Sequence, residues 1–131
     1  MTQQNTLPHV VIIGAGFGGI HAAQQLAKAP CRVTIVDKRN FTLFQPLLYQ
    51  VATAGLEPDS IAGPLRKRFQ NKKNIYFLMA TVNRIDAEKQ QVDTNIGSLA
   101  YDRLVLACGS LTNFFGNDDF EHKSFPLKQV P

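Results

Sequence analysis

The chain has 131 residues, 44% of them hydrophobic, with 14 basic and 10 acidic side chains and a net charge of +4. That length suits one domain with its own core, and that apolar share excludes a disordered chain. No apolar run reaches the roughly 20 residues that cross a bilayer, and the N-terminal MTQQNTLP has neither a basic start nor an apolar stretch, so no export signal is expected.

Residues 9–13, HVVII, are a short continuous apolar run, which predicts a parallel strand buried on both faces. Residues 17–29, FGGIHAAQQLAKA, place Ile20, Ala23, Leu26 and Ala27 at helical spacing, and Pro30 stops that helix. Residues 32–37, RVTIVD, predict a second strand. Strand, tight turn, helix and strand make a βαβ unit with a right-handed crossover.

The stretch 40–58 is less regular. Pro46 starts a short helix, PLLYQVA, and Gly55 ends it. Asp59 or Ser60 then caps a helix running to about Phe69, although Gly63 and Pro64 weaken it. The basic run RKRFQNKK, residues 66–73, reads as the solvated end of that helix, where cations suit the negative end of the dipole. Five charges are a weak sign of a nucleic-acid or anionic-lipid surface. Residues 75–79, IYFLM, predict a third buried strand.

Residues 80–94 alternate apolar and polar around the turn-like AEKQ, and residues 97–100 add a short strand. This predicts an antiparallel hairpin or meander instead of a crossover helix. YDRLVLACGS, residues 101–110, predicts a fourth buried strand ending in Gly109, and the remaining tail has no clear periodicity. The fold class expected is α/β: a Rossmann-like parallel sheet with an antiparallel insertion.

Cys31 and Cys108 lie far apart, with no CxxC pair and no Cys/His cluster, so neither a metal site nor a disulfide framework is expected. They read as two buried thiols of a reducing compartment.

The chemistry centres on Gly14-Ala15-Gly16-Phe17-Gly18-Gly19. Gly14 permits the tight turn, Gly16 lets the backbone approach a pyrophosphate, and Gly19 lets the helix pack closely. The helix N-terminus offers N–H groups and a positive dipole end to phosphates. The second strand ends in Asp37, whose carboxylate suits a ribose hydroxyl and repels a 2′-phosphate. NAD and FAD share the ADP half that these residues read. The meander favours FAD, because an ordinary NAD domain continues with a crossover helix. Ala107 and Gly109 put a small-residue turn opposite the glycine loop.

VVIIGAGFGG, IVDKRNFTLFQPLLYQVATAGL and YDRLVLACGSLTNFFG resemble the type II NADH:quinone oxidoreductases, flavoproteins of the pyridine nucleotide-disulfide oxidoreductase superfamily. The resemblance covers about residues 9–128, and its middle stretch is the most specific part. It implies FAD at the glycine loop, with Gly14, Gly16, Phe17, Gly18 and Gly19 at the pyrophosphate and Asp37 at the adenosine ribose beside Lys38 and Arg39. It implies the backbone of Thr81 and Val82 near the adenine, and Ala107 and Gly109 along the pyrophosphate. It carries Gln45, Pro46, Leu47 and Leu48 to the flavin, and Tyr49 and Gln50 to the border of a quinone route. A short helix packed into the core is the plain alternative for Leu47 to Gln50. Cys108 departs from the Thr common there in such flavoproteins.

Members of that family are longer, with a second glycine motif for NADH and a C-terminal membrane-binding region. The chain is therefore expected to be an N-terminal part of the FAD-binding domain over residues 1–131, inactive alone and prone to self-association, as a homodimer for example. The longer protein is expected to be cytoplasmic and peripheral on the cytoplasmic membrane. No catalytic side chain is expected, because the cofactor carries the chemistry. Residues 40–57 hold no cysteine, which argues against thiol–disulfide or sulfide chemistry. Other readings are another two-dinucleotide-domain reductase, an NAD-binding module and a nucleic-acid binder; the meander opposes the second, and the acidic DDFE stretch with a net charge of only +4 opposes the third.

Overall fold

A computed structural model describes residues 7–128. Most of the N-terminal stretch read as lacking an export signal, and the last three residues of the tail, lie outside the described residues. The chain forms two compact units. One holds residues up to Thr42 together with Pro64–Gly109; the other holds Leu43–Gly63 together with residues from Ser110 onward.

The first unit is built on a parallel sheet of β1 (His9–Ile13), β2 (Arg32–Asp37), β5 (Ile75–Met79) and β9 (Arg103–Leu106), in the order β5-β2-β1-β9. All five residues of β1 are buried, as a central parallel strand requires. Pleating sends Val10 and Ile12 to one face, where they meet Ile20 and Ala23 of α1 (Phe17–Leu26) and Leu65 and Phe69 of α3 (Leu65–Phe69). Val11 and Ile13 go to the other face, with Val36, Ala80 and Val92. Val92 belongs to the antiparallel meander of β6 (Val82–Asp86), β7 (Gln91–Thr94) and β8 (Gly97–Ala100). The meander thus covers the face that a second crossover helix covers in an ordinary doubly wound sheet.

Several boundaries differ from those expected. α1 ends at Leu26 instead of Ala29, because the ring of Pro30 collides with the carbonyl four residues back, that of Leu26. β5 and β9 were expected to be fully buried, but they are the edge strands, and Tyr76, Met79 and Leu106 are exposed. β9 is also shorter than residues 101–110. The helix expected from Asp59 to Phe69 is broken in three. A 3-10 turn spans Pro58–Ser60, β4 (Ala62–Pro64) pairs with β3 (Phe41–Leu43), and α3 begins only after Pro64, whose extended backbone stops any earlier helix. Arg66, Lys67, Arg68, Lys72 and Lys73 are exposed while Leu65 and Phe69 are buried, so the basic run is the solvated end of a helix and the turn after it. Cys31 is buried as expected, but Cys108 is exposed, because β9 ends before it.

In the second unit a 3-10 turn at Gln45–Leu47 leads into α2 (Leu48–Ala52), close to the helix expected from Pro46. The left-handed residue after α2 is Ala54, at φ 57°, and not Gly55. Gly55 contributes its N–H, which donates to the Gln50 carbonyl at 2.7 Å. The tail contains a helix that the sequence pattern did not announce, α4 (Asp118–Lys123). Asn117 caps it, accepting from the Phe120 N–H at 3.2 Å, and Asp118, Asp119 and Glu121 sit in its first turn. Among the described residues no helix is long and apolar enough to cross a membrane.

His9 ties the far end of the first unit together. Its backbone N–H donates to Asp102 Oδ2 at 2.6 Å. Its Nδ1 lies 2.7 Å from the Ala100 carbonyl and its Nε2 2.8 Å from Thr34 Oγ1. A carbonyl only accepts, so Nδ1 carries the proton and Nε2 accepts from the Thr34 hydroxyl. Nδ1 then cannot accept from Arg32 Nη2, 3.0 Å away, which acts on the ring as a nearby positive charge. Burial first, and then Arg32, hold the His9 pKa below 6.5, outweighing the Ala100 hydrogen bond and the Asp102 charge, which raise it. The folded chain therefore binds fewer protons here than the unfolded chain once the pH falls below about 6.5. Stability is present above that pH and is lost as the pH falls toward the depressed value. Urea unfolding at pH 7 and pH 5 is expected to show a drop that shrinks in His9→Gln; an equal drop in both proteins would contradict the neutral buried imidazole.

Candidate functional site

The site lies at the C-terminal edge of the parallel sheet, where β1 turns into α1. The Gly14 N–H donates to the Val36 carbonyl at 2.9 Å and the Ile20 N–H to the Gly16 carbonyl at 3.0 Å, so the loop is fixed at both ends. Gly14 has φ +99°, and an added Cβ there would collide with the Ala107 carbonyl and crowd the Cys108 Cα. A Cβ on Gly19 would collide with the Gly14 carbonyl and touch Ala107 Cβ at 3.4 Å. Gly18 is looser, 3.9 Å from Ala107 Cβ. The glycines at 14 and 19 are thus packing requirements of the loop against itself and against the turn after β9. That turn is held by the Ala107 N–H, which donates to the Ile13 carbonyl at 2.8 Å.

Gly16 differs from its neighbours. It caps α1 with extended backbone, φ −77° and ψ −165°, and an added Cβ would meet nothing within 4 Å. Among the described residues nothing lies within 4 Å of that added Cβ, so this face is open to a close approach. The N-terminus of α1, with the positive end of its dipole, lies at this point. Phe17 is exposed beside it. An open glycine at a helix N-terminus fits the pyrophosphate of a dinucleotide.

Asp37, at the end of β2, sits beside the loop. Its Oδ2 accepts from the Ala15 N–H at 2.7 Å and its Oδ1 from the Arg39 N–H at 2.9 Å. Its own carbonyl accepts from the Ala80 N–H at 2.9 Å. Arg39 turns its guanidinium over the Phe41 ring, 5.8 Å from the centroid, and Lys38 is exposed. Thr81 follows Ala80: its N–H donates to Asn95 Oδ1 at 2.8 Å and its carbonyl accepts from the Asn95 N–H at 3.0 Å. Val82 packs its side chain against the meander-side core. Gly109 is exposed at φ +70°, and the Cys108 thiol lies 3.9 Å from the Ile13 carbonyl.

The first unit therefore gathers Gly14, Gly16, Phe17, Gly18, Gly19, Asp37, Arg39, Ala107 and the Ala80–Thr81 backbone around one edge of the sheet. Gln45, Pro46, Leu47, Leu48, Tyr49 and Gln50 belong to the second unit. Leu48 is buried there, while Gln45, Pro46 and Tyr49 are exposed. Gln45 Nε2 donates to the Lys128 carbonyl at 3.2 Å, and Gln50 Nε2 to Tyr49 Oη at 2.9 Å. The core-helix alternative thus fits Leu48 but not Tyr49. Sequence reasoning missed Ala15 and Ala80, which act through backbone N–H groups and leave no side-chain signal. Asn40 Oδ1 is buried and has no hydrogen-bond partner among the described residues.

A family model described as pyridine nucleotide-disulphide oxidoreductase matches residues 8–129. Type II NADH:quinone oxidoreductase NdhA of Mycobacterium tuberculosis is 43% identical over 115 residues, which are 85% of this chain and 24% of that protein. The sulfide:quinone oxidoreductase of Aquifex aeolicus superposes with a TM-score of 0.75 at 32% identity, over 82% of this chain and 25% of that one. NDH2 of Plasmodium falciparum, solved in complex with NADH, gives the same TM-score at 22% identity over 87% of this chain and 25% of that one, a likeness of fold. The chain spans about a quarter of the length of the relatives it matches.

The glycines are expected to separate by substitution. Gly14→Ala forces a Cβ into the Ala107 carbonyl at a positive φ and is expected to cost about 2–4 kcal/mol of stability. Gly16→Ala meets nothing and is expected to stay within about 0.5 kcal/mol of the parent. Urea midpoints of the two variants decide; equal losses would contradict this division of roles.

Proposed function

The chain belongs to the pyridine nucleotide-disulphide oxidoreductase family, and on that premise we propose that it supplies the FAD-binding part of an enzyme that passes electrons from NADH to a quinone. The observation that carries the reading is the open face of Gly16 at the N-terminus of the ten-residue α1, beside the Asp37 carboxylate. The residues fit the group: α1 is long enough to present a positive end, and among the described residues nothing lies within 4 Å of a Cβ added at Gly16. The meander over the second face favours FAD over NAD as the dinucleotide held here. The 43% identity to a protein named type II NADH:quinone oxidoreductase supports the electron donor and acceptor.

When bound, the flavin supplies the two-electron chemistry that joins NADH oxidation to quinone reduction. The chain's own residues bind and orient. The start of α1 at Gly16, Phe17 and Gly18 borders the pyrophosphate, with Gly14 and Gly19 closing the loop beneath. Asp37 accepts from a ribose hydroxyl through lone pairs that Ala15 and Arg39 leave open. Lys38 and Arg39 flank the ribose, the backbone at Thr81 and Val82 borders the adenine, and Ala107 and Gly109 line the pyrophosphate. The roles of Gln45, Pro46, Leu47 and Leu48 at the flavin, and of Tyr49 and Gln50 on the quinone route, rest on the resemblance alone.

In this reading residues 1–131 are the N-terminal part of the FAD-binding domain, and NADH is bound by further sequence of a longer protein. That protein works at the cytoplasmic surface of the membrane, where its quinone is dissolved. Exposed apolar side chains such as Leu106 and, in the other unit, Phe115 and Phe125 fit association as a homodimer. The absence of cysteine from residues 40–57 argues against sulfide or disulfide as substrate.

Calorimetric titration of the chain with FAD and, separately, NADH tests the assignment. FAD is expected to bind about tenfold or more tighter, a difference near 1.4 kcal/mol, and Gly16→Ala is expected to abolish the difference without unfolding the chain. Tighter binding of NADH would replace the flavin reading with an NAD-binding module.

A further inference from the structure

Gly14 and Ala15, which open the glycine loop, are tied by their N–H groups to the last two residues of β2. Gly14 donates to the Val36 carbonyl at 2.9 Å, and Ala15 donates to the Asp37 carboxylate at 2.7 Å. The same carboxylate accepts from the Arg39 N–H at 2.9 Å through its other oxygen. Ala15 is 3% exposed, so its N–H has little water to turn to if Asp37 withdraws. A bond from a buried N–H to a charged carboxylate is among the stronger kinds, and the donor left behind bears the cost.

We infer that Asp37 is the positioning residue of the glycine loop. Through Ala15 it holds the loop in the conformation that leaves the face of Gly16 clear, in addition to accepting from a ribose hydroxyl. The second role rests on the dinucleotide reading; the first does not. The two coexist because a carboxylate offers about four acceptor positions and the chain uses two of them. An amide cannot replace it. In Asp37→Asn the side chain has one accepting oxygen, and its NH2 faces one of the two N–H donors.

The role separates from ribose recognition by experiment. Amide hydrogen exchange is read residue by residue on the full chain without nucleotide. In Asp37→Ala, exchange at Ala15 and Arg39 is expected to quicken about tenfold or more, while the core amides of Val11 and Ile35 hold their rates. Affinity is then measured for FAD and for an FAD analogue whose adenosine lacks the 2′ and 3′ hydroxyls. A positioning residue costs affinity for both, again about tenfold, although removing a negative charge near the phosphates acts in the opposite direction. Should Asp37→Ala not fold, Asp37→Asn decides, since its single oxygen can keep only one of the two bonds. Unchanged exchange at Ala15 and Arg39, or a loss confined to FAD with its hydroxyls intact, would overturn the inference. A parent chain that binds neither nucleotide refutes the flavin reading and leaves the exchange result to judge the loop.

Discussion

One close approach organises the candidate site of this protein: the backbone of Gly14 lies against the Ala107 carbonyl, and α1 rests on the Gly14 carbonyl through Gly19. Neither contact leaves room for a Cβ. β1 and α1, neighbours in sequence, meet the distant turn after β9 there at backbone distance. Because the glycines absorb that crowding, α1 starts close to the strand ends and its N-terminus faces outward at Gly16. The open position exists because its neighbours are closed.

β1 makes the arrangement possible by having two inner faces. Its even-numbered residues pack under α1 and α3, and its odd-numbered residues pack under the meander. A parallel strand tolerates such burial only where both layers are present. The antiparallel β6–β8 layer meets that need with short local connections, while β5, paired beside β2, brings Ala80 to the end of β2 where Asp37 sits.

Much of this was legible in the residues. HVVII, GAGFGG and RVTIVD announce the βαβ unit because continuous burial and glycine placement are local signals. Asp37 is legible because an acid at that strand end has few other uses. The failures have physical causes. An edge strand carries the same apolar letters as a central one, so Tyr76 and Leu106 misled. Gly63 and Pro64 weakened the expected helix, and in the chain they lie in β4, with α3 starting only after them. α4 has six residues, too few to show a period, and only the Asn117 cap betrays it. At the site, glycine positions could be read and backbone partners could not, because Ala15 and Ala80 contribute atoms that every residue has.

The pairing of β1 with β9 bears on how the molecule is made. His9 bonds to Asp102 across 93 residues of sequence, and β9 lies beside β1 in the finished sheet. Between them the chain must lay down β2, β5 and the whole meander. During synthesis from the N-terminus, the glycine loop therefore emerges early with its own β1 and α1. The Ala107 turn that completes its floor is among the last parts of this unit to leave the ribosome. On the proposed reading, nucleotide capture is thereby placed late in the birth of the molecule, after the sheet has closed around β1.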